Sequence, residues 1–172
     1  MKICITGATG FIGTNLAIEF QNSDEFDVYG IYNRRPPHKF IKKNNWIKSD
    51  LSDVHSLEKT FEGFDIIVMC AAVSSGAKNI INNPEIFVAN NTTINQNTIV
   101  NAIKSEVKHI IFPSCSVMYQ NSESIQGEND VSIENIEDKY VGGAAMKLYV
   151  EGLCKFYSLI SKTKFSVIRH TN

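Results

Sequence analysis

TGATGFIG, residues 6–13, is the stretch on which the fold turns. The short apolar run Lys2–Thr6 leads into it and reads as a buried strand. The longer stretch Phe11–Gln21 follows it and reads as a helix. Between them the glycines are spaced G-x-x-G-x-x-G, at Gly7, Gly10 and Gly13. Each glycine has a physical use there. Gly7 permits a tight turn out of the strand. Gly10 lets the backbone approach a pyrophosphate with no Cβ in the way. Gly13 lets the helix pack closely on the sheet. With Thr9 in the turn, the free N–H groups of Phe11 and Ile12 then face an anion, with the helix dipole behind them. The bland alternative is a glycine-rich turn without a ligand. The strand before it, the helix after it and the alternation that follows argue against that.

Working outward, further strand candidates are Asp27–Tyr32, Asn45–Lys48, Asp65–Cys70, His109–Pro113 and Lys164–Arg169, short and rich in β-branched residues. Further helices are predicted at Val54–Phe61, after the capping pair Ser52-Asp53, at Pro84–Ser105, which opens on a proline, and at Ala144–Ser161. In the second of these, Phe87, Asn91, Ile94, Thr98 and Ala102 fall on one face. Strand–helix alternation predicts an α/β fold with a doubly wound parallel sheet, the Rossmann-like dinucleotide-binding architecture. The polar, acidic segment Asn121–Asp138 reads as a surface loop before the last helix.

Composition fits this reading. The chain has 172 residues, 43% hydrophobic and 20% charged, with a net charge of −1. That suits one domain with a real core. No basic field or stripe points to nucleic acid, and no run approaches the roughly 20 apolar residues of a membrane span. Cys4, Cys70, Cys115 and Cys154 form no CxxC pair, so neither a zinc site nor any other metal site is indicated. Cys4 and Cys70 lie in apolar runs and read as buried thiols of a reducing cytoplasm.

The phosphate loop has company. Asp50-Leu51 follows the third strand, CAAVSSG spans residues 70–76, and Asn91 lies in VANNTTINQN. FPSCSVMY spans 112–119, and VIRHTN spans 167–172. In order and spacing these resemble the extended short-chain dehydrogenase/reductases, the NAD-dependent epimerase/dehydratase family. Within that family, AAVSSGAKNIINNP and FPSCSVMY are most similar to the GDP-L-fucose synthase type of nucleotide-sugar epimerase/reductase. The resemblance implies a nucleotide-sugar substrate and hydride transfer at a sugar carbon. It also implies Asp50 and Leu51 at the adenine and Ala71, Ala72 and Val73 along the cofactor.

The second strand ends VYGIYNRRPP. An NAD site usually offers an acidic residue here to the ribose 2′-hydroxyl. Tyr32 holds that position, and Asn33, Arg34 and Arg35 follow it. Arginine matches a 2′-phosphate through two hydrogen bonds and a permanent charge. NADP is therefore the expected cofactor, with NAD as the alternative.

In the family, a tyrosine sits four residues before a lysine on one helix face, about 6 Å along the axis. The lysine holds the nicotinamide ribose, and the tyrosine moves a proton. Lys147 with Glu151 resembles the family's K-x-x-x-E. Four residues before Lys147 stands Gly143, not tyrosine. Cys115 falls at the Ser/Thr position that hydrogen-bonds the reacting oxygen, and reads as a weak partner, a nucleophile or a structural thiol. Tyr140 can serve as the acid only if the helix begins after Gly142-Gly143, because seven helical residues span about 10.5 Å. The competing reading is a non-catalytic NAD(P)-binding module.

The family pattern continues beyond R-x-x-N into a sugar-nucleotide domain. Residues 1–172 are thus expected to be the dinucleotide-binding part of a longer protein, with its substrate domain absent. A homodimer through a four-helix bundle is the expected assembly, made by the helices at 84–105 and 144–161.

Overall fold

The computed structural model describes residues 1–74, 84–119 and 124–171. Ser75 and Gly76 of CAAVSSG, the stretch 77–83, residues 120–123 of the acidic loop and Asn172 lie outside the described residues. One parallel sheet holds β1 (Lys2–Thr6), β2 (Asp27–Tyr32), β3 (Trp46–Lys48), β4 (Ile66–Met69), β5 (His109–Cys115) and β6 (Lys164–His170). The strand order is β3-β2-β1-β4-β5-β6. The direction of winding therefore reverses between β1 and β4, where open α/β sheets bind their ligands.

Helices cover both faces. Helix α1 (Phe11–Gln21) lies on one face, where Ala8, Ala17, Val28, Ile41 and Val68 form a core with Ile3 and Ile5. Helices α2 (Pro84–Lys104) and α3 (Asp138–Ile160) lie on the other, against Ile67, Ile110 and Phe112. Ile3, Ile5, Ile67 and Ile110 are at most 1% exposed, and each such burial contributes about 2 kcal/mol. On α2 the apolar stripe faces inward as read from sequence, with Asn91, Thr98 and Ala102 buried. Among the described residues no helix is long and apolar enough to cross a membrane.

Several boundaries differ from the sequence reading. No α-helix forms over Val54–Phe61. A short 3-10 turn, Val54–Leu57, stands there instead. Asp53 caps it by accepting from the His55 N–H at 3.0 Å. The Ser56 hydroxyl then bonds back to the carbonyls of Asp50 and Asp53, and Lys59 takes a left-handed φ of 63° that ends any helix. Leu57 and Phe61 are still buried as anchors.

Helix α3 starts six residues earlier than expected, at Asp138 rather than Ala144. The Tyr140 N–H bonds the Glu137 carbonyl at 2.8 Å, and Asp138 favours the positive helix end. Gly142 and Gly143 therefore sit inside the helix, at a cost of about 1 kcal/mol each relative to alanine. Gly142 has a packing reason, since a Cβ there would come within 3.0 Å of Val88 Cγ2 on α2. The strands also shift at their ends. Asn45 belongs to a 3-10 turn before β3, where its amide holds Asp27 and the Val28 carbonyl. β4 is trimmed by one residue at each end, while β5 and β6 run on to Cys115 and His170, which are register partners.

Candidate functional site

At the C-terminal end of β1 the backbone is forced into one shape. Gly7 has φ of +62°, and a Cβ on it would lie 2.6 Å from the Ala71 Cα. The Gly10 N–H bonds the Gly7 carbonyl at 2.8 Å, which closes the turn. A Cβ on Gly13 would lie 2.5 Å from the Gly7 oxygen, so only glycine lets α1 approach. No side chain caps the N-terminal end of α1. Its first-turn N–H groups have no intrahelical partner. Phe11 and Ile12 stand exposed beside them, at 86% and 42%. This cradle, with no Cβ at Gly7, Gly10 or Gly13 and a helix dipole behind it, fits a pyrophosphate.

Two side chains align β4 with this loop. Thr6 Oγ1 accepts from the Ala71 N–H at 3.1 Å and lies 3.4 Å from the Val68 carbonyl. Asn91, buried on α2, clamps the strand's continuation. Its Oδ1 accepts from the Val73 N–H at 2.7 Å, and its Nδ2 donates to the Val73 carbonyl at 3.0 Å. Ala71, Ala72 and Val73 are thus held in extended reach of Gly7.

The segments expected at the adenosine end also come together. The Ser49 N–H bonds the Tyr32 carbonyl at 3.0 Å, so the segments after β2 and β3 run side by side. Asp50 accepts from the Ser52 hydroxyl at 2.6 Å and the Ser52 N–H at 3.0 Å. These bonds, then the Asn33 amide and the Arg34 charge, hold its carboxyl below the ordinary carboxylate value. Arg34 and Arg35 are exposed. Leu51 is different: it is buried in the core at 5% exposure, and its carbonyl takes a bond from Asn97 at 3.1 Å.

Lys147 is mostly buried, and burial pushes its amine below the ordinary lysine value against the opposing pull of Cys115, Glu151 and Cys70. Its Nζ donates to the Pro113 carbonyl at 2.7 Å and lies 4.5 Å from the Phe112 ring centre. Lys147, Cys115 and Cys70 are thereby brought together at the ends of β4 and β5. Burial raises the Cys70 thiol to about 12, with Lys147 pulling the other way. Cys115 is half-buried and also touches the small cluster of Met118, Ile136 and Ala144.

Beneath Lys147 lies a network that sequence reading missed. Ser114 is fully buried and donates to Glu151 at 2.5 Å. Arg169 grips Glu151 through Nε at 3.1 Å and Nη2 at 2.7 Å, and reaches the Tyr119 hydroxyl at 2.8 Å and the Glu128 carbonyl at 2.7 Å. Glu151 and Arg169 stood in quoted motifs, but nothing in the sequence said that they pair. His38 was also missed, in a polar Pro-Pro-His-Lys stretch without any motif.

Tyr140 is not brought to the site. It lies on the same continuous helix as Lys147, about 10.5 Å away along the axis. It is 43% exposed, with its ring beside Lys139. The helix start after the glycines, on which its role depended, does not exist. Tyr149 points elsewhere, donating to Gln96 on α2 at 2.9 Å. At Gly143 a Cβ would meet nothing within 4 Å.

Comparison with known proteins agrees with this architecture. The model of the NAD dependent epimerase/dehydratase family matches residues 3–172. GDP-mannose 3,5-epimerase of Arabidopsis thaliana is 27% identical over 174 residues, covering 92% of this chain and 43% of that protein. Among solved structures, GDP-mannoheptose C4 reductase from Campylobacter jejuni with NADP bound superposes with a TM-score of 0.79 at 23% identity, covering 99% of this chain and 51% of that one. UDP-glucose 4-epimerase of Thermus thermophilus in complex with NAD gives 0.78 at 19% identity, covering 98% and 54%. The chain thus spans about half the length of these relatives. With the family's pattern matched across nearly its whole length and the loop geometry in place, the chain belongs to the NAD dependent epimerase/dehydratase family.

Proposed function

We propose that this chain is the dinucleotide-binding part of an NADP-dependent epimerase, dehydratase or reductase acting on a nucleotide-activated sugar. The observation that carries the reading is the glycine cradle at the end of β1, beside the winding reversal of the sheet. Gly7, Thr9, Gly10, Phe11 and Ile12 hold the pyrophosphate in this account, and Ala71, Ala72 and Val73 line the path away from it. Asn33, Arg34, Arg35 and Asp50 take the adenosine end, with Leu51 as buried support. The arginines favour NADP over NAD.

When bound, the nicotinamide supplies the hydride chemistry at a sugar carbon. Lys147 holds the nicotinamide ribose, and Cys115 stands beside the reacting oxygen. Such a protein works in the cytoplasm, where its four free thiols stay reduced. GDP-sugars, the substrates of the GDP-L-fucose synthase type, are the first to test, since one relative is named for GDP-mannose. A homodimer would pack α2 and α3, whose outer surface exposes Tyr149 and Phe156.

One observation favours a second reading. The family's proton-transfer position is Gly143, with open space around it. A non-catalytic NAD(P)-binding module needs nothing there. Turnover of GDP- and UDP-sugars by the longer protein that carries this chain, as wild type and as Gly143→Tyr, separates the two. The enzyme reading expects low wild-type turnover and a gain of about 10²–10⁴ on placing a phenol there. Tight cofactor binding with no turnover in either protein supports the module.

A further inference from the structure

We infer that His38 is a specificity-positioning residue: it locks the segment carrying Arg34 and Arg35 onto the glycine loop, and so sets the preference between a 2′-phosphorylated and an unphosphorylated dinucleotide. This rests on the NADP reading above.

The segment 33–42 leaves β2 and turns back over the end of β1. His38 Nδ1 accepts from the Phe40 N–H at 3.3 Å, which places the ring proton on Nε2. Nε2 lies 3.0 Å from the Ala8 carbonyl and 3.1 Å from Thr14 Oγ1. The Thr14 hydroxyl donates to the same carbonyl at 3.1 Å. Ala8 belongs to the turn shaped by Gly7 and Gly10, so the imidazole is bonded directly to the phosphate cradle. Its ring is held edge-on by Trp46 at 5.0 Å and Phe40 at 5.1 Å between centres.

A second anchor follows three residues on. Ile41 is 2% exposed and sits over Gly30, where a Cβ would come within 2.6 Å of Ile41 Cδ1. Between β2 and these anchors the chain carries Arg34 and Arg35, both exposed and without an ion pair among the described residues. The cradle serves any dinucleotide alike, and only the arginines distinguish the 2′-phosphate. Releasing His38 leaves the cradle glycines in place but makes the arginines pay an ordering cost on binding. The penalty falls on NADPH alone.

The test compares dissociation constants for NADPH and NADH by calorimetry in the wild-type chain, His38→Leu, His38→Gln and the double variant Arg34→Ala/Arg35→Ala. Leucine keeps bulk against Trp46 and removes the donor. Glutamine returns an N–H toward the Ala8 carbonyl. The expected result is about a tenfold weaker NADPH affinity in His38→Leu, with NADH within about threefold of wild type and the preference restored in His38→Gln. The ratio is read within one preparation, so loss of folded protein cancels. An equal fall for both cofactors, or an unchanged ratio, overturns the inference. A wild-type preference lost in the double arginine variant but kept in His38→Leu overturns it alone. Equal wild-type binding of the two cofactors overturns the NADP reading and this inference together.

Discussion

The ends of β1 and β5 lie two strands apart and differ in what carries them. At β1 the site is made of backbone. Its shape comes from Gly7, Gly10 and Gly13: a Cβ on Gly7 or Gly13 would collide with Ala71 or the Gly7 carbonyl, and one on Gly10 would press on the Gly7 oxygen at 3.1 Å. At β5 the site is made of side chains on a buried polar frame, Ser114–Glu151–Arg169, with Lys147 one helical turn before Glu151. The frame is complete, while the two positions proposed to meet the reacting atoms hold Gly143 and Cys115. A backbone site tolerates little substitution and so stays legible. A side-chain site can lose its reactive groups while its supports remain.

The largest effect is expected at Gly7. Gly7→Val forces a β-branched residue to positive φ against the Ala71 backbone. A loss of about 4 kcal/mol in denaturant unfolding is expected, with cofactor binding abolished. Full stability with binding intact would mean the cradle is softer than its geometry. Glu151→Ala tests the frame. It strands the Arg169 guanidinium, whose side chain is 21% exposed. The expected cost is about 3 kcal/mol. A much smaller loss would show that Tyr119 and Glu128 suffice to hold Arg169.

The smallest effect lies far from both sites. Asp65 accepts from Lys108 Nζ at 2.6 Å and from the Lys2 N–H at 2.8 Å, at the opposite end of the sheet. These bonds, the Lys108 one first, hold its carboxyl below the ordinary value. The folded chain therefore keeps this group ionised to lower pH than the unfolded chain does. Its contribution is full above about pH 4 and is lost as pH falls through the folded value. Lys108 is well exposed, so Asp65→Asn is expected to cost no more than about 1 kcal/mol at pH 7 and to flatten the acid limb of stability. An unchanged acid limb would assign that limb to other carboxylates.

Sequence carried the β1 end almost whole, because glycine spacing states backbone geometry directly. The ranges of β1, β2 and α1 were read as they stand, β1 and the start of α1 because Gly7 and Gly10 bound them. The last helix was misread because Gly142-Gly143 was given its local meaning, a helix boundary. The tertiary reason for Gly142 is close approach to Val88 on α2, which no local pattern reveals. The turn at Val54–Leu57 was misread because Ser56 bonds backward to Asp50 and Asp53 rather than continuing a helix. Lys147 was singled out by its resemblance, with Glu151, to the family's K-x-x-x-E. Its bond to Pro113 and the pairing of Glu151 with Arg169 were not, since both depend on which strand lies beside α3. His38 had no signal at all, because its partner is a backbone carbonyl 30 residues earlier.

The β1 cradle is proposed to bind a dinucleotide. Calorimetric titration of the purified chain with NADPH and NADH tests it before any sugar is chosen. The account expects one-to-one binding of NADPH, with NADH weaker by about tenfold or more, as two exposed arginines at a 2′-phosphate would give. Binding of neither cofactor would contradict it.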